Sequence, residues 1–431
     1  MTIPNPKLTD LDPTLDVIPV PKLGEIPEFG HKMREIFMLN PNYLSLNHGS
    51  FGAVPKYVGD YSHYYYLCSE RNPDIWIRHT VVELYNKAVE RVAPYLGCKD
   101  PNELALVPNA TFGLNAVLRS MKLDSNDALF RYSVSYGACS NTISYVCSTS
   151  GAQAIDIPIN FPCSSSEIVE ITKKTIQKVK ESGKNIKFAM IDTISSVPAI
   201  IFPFVELTKV FKDEGALVFI DGAHSLGQIN VDIESIGCDY FVTNAHKWFY
   251  TKRGTAVMYV AKHLQESVKP LVISWAYSRN TGWNDSFFWQ GTVDFSSFLS
   301  INAAIDFVEA AGGLKKIQDY THDLAIKGMN LLESKYGMTP LTRDETQIGC
   351  LINCKVPLEA GNLVHDKVGE AIGDILLKNY SAFGAFYEHN GAWWVRLSAQ
   401  IYLELDDFDK FGKVMTEAIK KEIQNEMNAT K

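Results

Sequence analysis

Lys247 ends an apolar run, Tyr240-Phe-Val, by way of a polar turn through Thr243, Asn244 and His246; two aromatics follow, and Gly254 turns the chain into the next strand, Thr255 to Val260. A lysine at a buried strand end is unusual. Burial disfavours the ammonium, and the neutral amine that results is the form that condenses with an aldehyde. Upstream, a second apolar strand, Ala216 to Ile220, delivers Asp221 into the turn Gly222-Ala223-His224. An amine and a carboxylate at the carboxyl ends of nearby parallel strands suit pyridoxal phosphate, the first for its aldehyde and the second to keep its pyridinium nitrogen protonated. An apolar strand ending in Asp is also a common helix cap, so the pair gains meaning only beside a phosphate-binding turn.

The elements that must position these groups lie on both sides. Glu103-Leu-Ala-Leu-Val-Pro reads as a strand emptying into Asn109-Ala110-Thr111-Phe-Gly113, followed by an amphipathic helix through Leu114, Val117, Leu118 and Met121. Small residues at a helix start let N–H groups reach a phosphate, and the Thr111 hydroxyl adds a donor, although an ordinary cap has the same pattern. Helix and strand then alternate: Asp127 to Tyr132, Gly137 to Cys147, Ala152 to Ile157, Ser166 to Glu181, Ile186 to Asp192, Val205 to Glu214. The alternation predicts a mostly parallel sheet with helices on both faces and ligands at the strand carboxyl ends. The polar groups above fall at such ends, as do Tyr136 and Ser196.

Before this region, Lys32 to Met38 reads as a short helix, and Tyr43 to Leu46 leads into a glycine turn, Asn47-His48-Gly49-Ser50-Phe51-Gly52. Helical periodicity covers Pro55 to Leu67 and Thr80 to Leu96. Between them Arg71 and Arg78 suit either a subunit contact or ordinary ion pairs. After Val260 come an aromatic loop, Trp275 to Trp289, then Gln290-Gly291-Thr292, a helix from Ser296 to Ala311, and a C-terminal portion of helix, strand and helix. Pro357 and Gly361 mark the connection before a helix from Val364 to Leu377. Trp393-Trp-Val-Arg396-Leu-Ser398 reads as an inner strand, and the planar fork of Arg396 suits a substrate carboxylate or a buried ion pair.

The chain has 431 residues, 46% hydrophobic and 21% charged, which is the balance of a globular protein with a large α/β domain and a smaller one. A net charge of −8 argues against nucleic acid or an anionic membrane as partner. Eight scattered cysteines without a CxxC pair point to a reducing compartment, and Cys350 with Cys354 lacks a second ligand pair, so no metal is expected. The N-terminus shows no apolar signal core, no stretch is long enough to span a membrane, and the cytoplasm is the default. Residues 1 to about 30, rich in proline, read as an arm on the surface.

Leu46-Asn-His-Gly-Ser-Phe-Gly52, Asn109-Ala-Thr111, Asp221-Gly-Ala-His224, Asn244-Ala-His-Lys247, Gly291-Thr292 and Val395-Arg-Leu-Ser398, in this order from about residue 40 to the end, resemble the class V aminotransferase fold of pyridoxal-phosphate enzymes. Within it the pattern is similar to the branch of isopenicillin N epimerases and the hercynylcysteine sulfoxide lyases of ergothioneine biosynthesis. The resemblance implies a fold type I architecture: an arm over 1–40, a large cofactor-binding domain over 41–300 with a mostly parallel seven-stranded sheet, and a small α+β domain over 301–431. It implies that Lys247 holds the cofactor and shuttles the α-proton, that Asp221 pairs with the ring nitrogen, His224 with the phenolic oxygen, and Tyr136 with the ring face. Ala110, Thr111, Asn244 and His246 would hold the phosphate, Thr292 the phosphate of a neighbouring subunit in a homodimer, and Arg396 with Asn47 the carboxylate of an amino-acid substrate. Asn244 departs from the serine or threonine of the relatives. Cysteine desulfurases of this fold carry a nucleophilic cysteine shortly before the arginine, whereas Ser381 to Ala392 has none. That absence disfavours a persulfide-forming desulfurase, and the activity the resemblance implies is carbon–sulfur cleavage of a cysteine-derived amino acid, with epimerase or aminotransferase chemistry as alternatives. A non-catalytic scaffold would have no physical need for the Lys247 and Asp221 pair.

Overall fold

In this computed structural model the described residues are 4, 7–278, 282–358 and 368–429. Among the described residues twelve strands form three sheets. A short strand β1 (Leu44–Ser45) precedes the seven of the main sheet: β2 (Leu104–Val107), β3 (Asp127–Tyr132), β4 (Gln153–Ile157), β5 (Asn185–Asp192), β6 (Leu217–Asp221), β7 (Tyr240–Thr243) and β8 (Ala256–Val260). The C-terminal part adds β9 (Leu351–Lys355), β10 (Ala382–Phe383), β11 (Ala385–His389) and β12 (Ala392–Ser398).

The main sheet runs β2-β8-β7-β6-β5-β3-β4 and is parallel except for β8, which is antiparallel to both neighbours. Its strands β2, β6, β7 and β8 are almost wholly apolar and buried because both faces are covered. Side chains alternate between two cores: Phe188, Met190, Phe219 and Val242 pack with the helices Ala110–Ser120 and Gly137–Ser150, while Ala189, Ile191, Val218, Ile220 and Phe241 belong to the larger core on the other face. The crossover helix Ser165–Glu181 starts at a Ser164–Glu167 capping box, and the next crossover helix is Phe204–Asp213. All of these lie within three residues of the sequence expectation.

The smaller antiparallel sheet runs β11-β12-β9 and packs with the long helices Gly313–Tyr336, Val368–Tyr380 and Leu405–Ala429. Gly361 and Val364, named as the connection and start of that middle helix, lie outside the described residues. A parallel pair, β1 with β10, ties the beginning of the chain to this C-terminal part.

Several elements depart from the sequence reading. The stretch Trp275 to Trp289, read as a loop, holds a helix at Trp283–Phe288. The helix expected over Lys32 to Met38 is a single turn, His31–Arg34, because Phe37 leaves it to bridge Pro55. The turn Asn47 to Gly52 closes into one helical turn, His48–Phe51. The helix expected from Thr80 is Val81–Val92, entered through a wide π turn, Trp76–Thr80, and left through a tight turn containing Pro94. No helix among the described residues is long and apolar enough to cross a membrane.

Candidate active site

β7 ends at Thr243, and the one-turn helix Ala245–Trp248 sets Lys247 into a cleft of about 570 Å³ that also receives Asp192 and Asp221, the last residues of β5 and β6. Lys247 as a residue is partly exposed at the cleft, and its amine is desolvated. Desolvation and, secondly, the charge of Arg396 lower its pKa to about 8, against the pull of Asp221. Nζ lies 3.0 Å from His224 Nε2, and the Trp248 indole N–H donates to His224 Nδ1 at 3.2 Å. His224 is buried, which, with the positive charge of Lys247, keeps it well below the usual histidine range.

Asp221 accepts the Ala223 N–H at 3.0 Å and the Cys139 thiol at 3.4 Å. Asp192 is its register partner on β5 and takes the Ser135 hydroxyl at 2.6 Å. Burial raises both carboxyls, and Asp192 is raised further by the charge of Asp221. Two carboxyls side by side without water cannot both ionise cheaply.

The helix Ala110–Ser120 aims its first turn at the same cleft, capped by Asn109, which accepts the Phe112 N–H at 2.9 Å. Asn244 Oδ1 accepts the Ala110 N–H at 2.9 Å, so that amide is committed inside the chain. Among the described residues, the amide and hydroxyl of Thr111 and the Asn244 Nδ2 are the donors left for an anion at this helix start. His246 turns Nδ1–H to the Thr255 carbonyl at 2.9 Å, and burial lowers its pKa to about 4. Its Nε2 is then a bare lone pair, and it donates to a phosphate oxygen only once protonated.

β12 brings Arg396 to the cleft. Nη1 donates to the Ser196 carbonyl at 2.8 Å; Nη2 donates to Ser50 Oγ at 2.8 Å and to Asn47 Oδ1 at 3.4 Å; Nε has no partner. Arg396 is 2% exposed, and all of these partners are neutral. Burial lowers its pKa to about 10. A cation buried among neutral acceptors is a receptor for a carboxylate. The segment that supplies Asn47 and Ser50 is strapped down over the lysine turn. His48 bonds the Lys247 carbonyl through Nε2 and the Tyr402 hydroxyl through Nδ1, and Gly52 packs against the His246 carbonyl.

The cleft thus unites Ala110, Thr111, Tyr136, Asp221, His224, Asn244, His246, Lys247 and Arg396. Tyr136 stands half exposed at the cleft. Asn47 lies behind Arg396 as its acceptor. Thr292 is not brought here by its own chain: it is exposed and lines a separate hollow of about 780 Å³ with Arg78, Trp275 and Trp289. Arg78 pairs only loosely with Asp74, at 3.4 Å on the surface. Sequence reasoning missed Asp192, Ser50, His48 and Trp248. Asp192 ends its strand as Asp221 does, and that repetition was a usable signal; the part played by Trp248 follows only from its distance to His224.

The sequence profile of the family described as Aminotransferase class-V matches residues 54–410. An L-cysteine desulfhydrase-like protein, lolT1, of Epichloe uncinata is 28% identical, covering 91% of this chain and 96% of that protein. The hercynylcysteine sulfoxide lyase of Schizosaccharomyces pombe is 26% identical, covering 91% and 98%. In three dimensions the apo cysteine desulfurase of Thermococcus onnurineus superposes with a TM-score of 0.75 at 18% identity over 92% of this chain and 100% of that one, a likeness of fold. The donor set of the cleft fits pyridoxal 5′-phosphate: an enclosed amine, a buried carboxylate and a helix start with unused donors. With the profile spanning most of its length, the chain belongs to the class V aminotransferase family, and it is a pyridoxal 5′-phosphate-dependent enzyme.

Proposed function

We propose that this enzyme is a carbon–sulfur lyase acting on an S-substituted cysteine such as hercynylcysteine sulfoxide, and that it works as a cytoplasmic homodimer. The observation that carries the reading is Arg396, a buried guanidinium with neutral partners in the same cleft as the amine of Lys247. Together they suit an α-amino acid, whose carboxylate and α-carbon need those two groups. Support for sulfur chemistry comes from the printed activities of the two curated relatives. Further support comes from the segment before Arg396: it has no cysteine, and it is built into β10 and β11, so no thiol there can store sulfur on the enzyme. The eight free cysteines support a reducing compartment.

When bound, the cofactor supplies an aldehyde for the substrate amine and a ring that spreads the charge left as the α-proton departs. Asp221 would keep the ring nitrogen protonated, His224 would hold the phenolic oxygen, and Tyr136 would stand against the ring. Thr111 and Asn244 would hold the phosphate, with His246 joining them once the phosphate charge has protonated its Nε2; the Ala110 N–H orients Asn244, and Thr292 would serve the phosphate of the neighbouring subunit. Lys247, once free, removes the α-proton as general base. Arg396, backed by Ser50 and Asn47, fixes the carboxylate so that this proton faces the amine. The bond from the β-carbon to sulfur breaks, and the Tyr136 hydroxyl gives its proton to the departing group. The organic product, aminoacrylate, takes up water to give pyruvate and ammonia.

Lys247→Arg is expected to purify colourless, with no borohydride-trapped cofactor and turnover reduced at least ~10³-fold. Incubation of the wild type with S-substituted cysteines, hercynylcysteine sulfoxide among them, is expected to yield pyruvate. A keto acid that keeps its sulfur would point to transamination, a D-amino acid to epimerisation, and full activity in Lys247→Arg would remove the basis of the reading.

A further inference from the structure

Two rings and an amine at the cleft floor form a directional chain. An indole N–H only donates, so the Trp248 Nε1 at 3.2 Å obliges His224 Nδ1 to accept and to carry no proton. The imidazole is neutral in its buried setting, so its single proton sits on Nε2, which lies 3.0 Å from Lys247 Nζ. That bond has one sense: Nε2–H points at the nitrogen of Lys247, which must offer a lone pair. An ammonium has none and would set hydrogen against hydrogen.

We infer that Trp248 is a positioning residue that fixes the tautomer of His224, and through it holds Lys247 as the free amine that captures the cofactor aldehyde. Capture needs that lone pair: it forms the bond to the aldehyde carbon, and the carbonyl oxygen leaves as water with the two amine protons. Other charged or titratable groups set the background without supplying the direction. Arg396 from β12 disfavours the ammonium, Asp221 at the end of β6 and Cys139 on the helix Gly137–Ser150 favour it, and His246 on the lysine turn is itself neutral. Trp248 is 2% exposed and follows Lys247 directly, so the element that carries the nucleophile also carries the group that tunes it. Once the cofactor is bound, the same constraint leaves Nε2–H as a donor towards the cofactor rather than an acceptor.

The inference rests on Lys247 being the capturing amine, and the test separates the two. Cofactor-free protein is mixed with pyridoxal 5′-phosphate at a series of pH values; the rate is followed by absorbance, and the modified lysine is mapped after borohydride reduction. Trp248→Phe, which keeps a ring and removes the N–H, is expected to shift the pH midpoint of capture upward by about one unit and to slow capture near neutrality about tenfold. Identical profiles for variant and wild type would overturn the inference; absence of modified Lys247 in the wild type would overturn the reading beneath it as well. Should the variant not fold, ¹⁵N spectra of histidine-labelled wild type decide: a pyridine-like Nδ1 and a pyrrole-like Nε2 for His224 are expected, and the reverse assignment overturns the proposal.

Discussion

Asp192 and Asp221 show how a residue can be costly to the empty fold and useful to the filled one. On the proposed reading Asp221 would gain a positive partner in the pyridinium nitrogen, while Asp192 would stay beside it with neutral donors such as the Ser135 hydroxyl. Because the folded-state pKa of Asp192 is raised, its contribution to stability is fully present below the unfolded value, near 4, and is lost as pH rises through the folded value. Asp192→Asn keeps the shape and the acceptor and removes the ionisation. The cofactor-free variant is therefore expected to melt roughly 2–4 °C above wild type at pH 8 and level with it at pH 4. A lower melting temperature at pH 8, read by calorimetry, would show that the charge of Asp192 is compensated by a group not identified. The sequence hinted at this pair through two strands that both end in Asp, but adjacency on the sheet depends on strand order, and strand order leaves no trace in a single strand.

At the scale of elements, the strap from Asn47 to Gly52 is the piece that turns a common sheet into this site. Gly52 has φ 69° and ψ 170°, and a Cβ there would lie 1.8 Å from the His246 carbonyl oxygen. Gly52→Ala is expected to cost about 2–4 kcal/mol in denaturant melts and to speed cofactor loss at least tenfold, because the strap must lift from the lysine turn. Gly183→Ala is the control: φ is 77° there, with nothing within 4 Å, so backbone strain acts without the clash. Equal losses in the two variants would mean that strain alone is responsible. The strands, crossover helices and the helix start capped by Asn109 were legible because apolar period and capping residues are local. The strap was legible only as a glycine turn, since its conformation is set by contacts to residues far along the chain, such as His48 with Tyr402. The π turn at Trp76–Thr80 likewise has no local signature; Asn72 starts the preceding turn by accepting the Ile75 N–H, and the wide turn follows from packing.

For the molecule as a whole, the placement of Thr292 outside its own cleft bears on assembly. Trp275 lines its hollow and is 66% exposed, and Val272, Ile273, Tyr277 and Val293, near Trp275 or Thr292 in sequence, are each at least half exposed, more apolar surface than a free monomer usually leaves open. The chain is expected to sediment as a dimer. Thr292→Glu and Lys247→Arg, each inactive alone, are expected to regain activity when mixed and exchanged, because one hybrid site combines an intact Lys247 with an intact Thr292 from the other copy. No recovery after proven exchange would place Thr292 outside the phosphate site. The pairing of β1 with β10, and the reach of Arg396 to Ser50, carry a last consequence for biosynthesis. A chain still on the ribosome can complete its seven-stranded sheet and present Lys247, yet it lacks the arginine corner until the final strands emerge and fold back onto the first. On the proposed reading, the nascent protein at that stage would carry its lysine turn but no group to seat a substrate carboxylate.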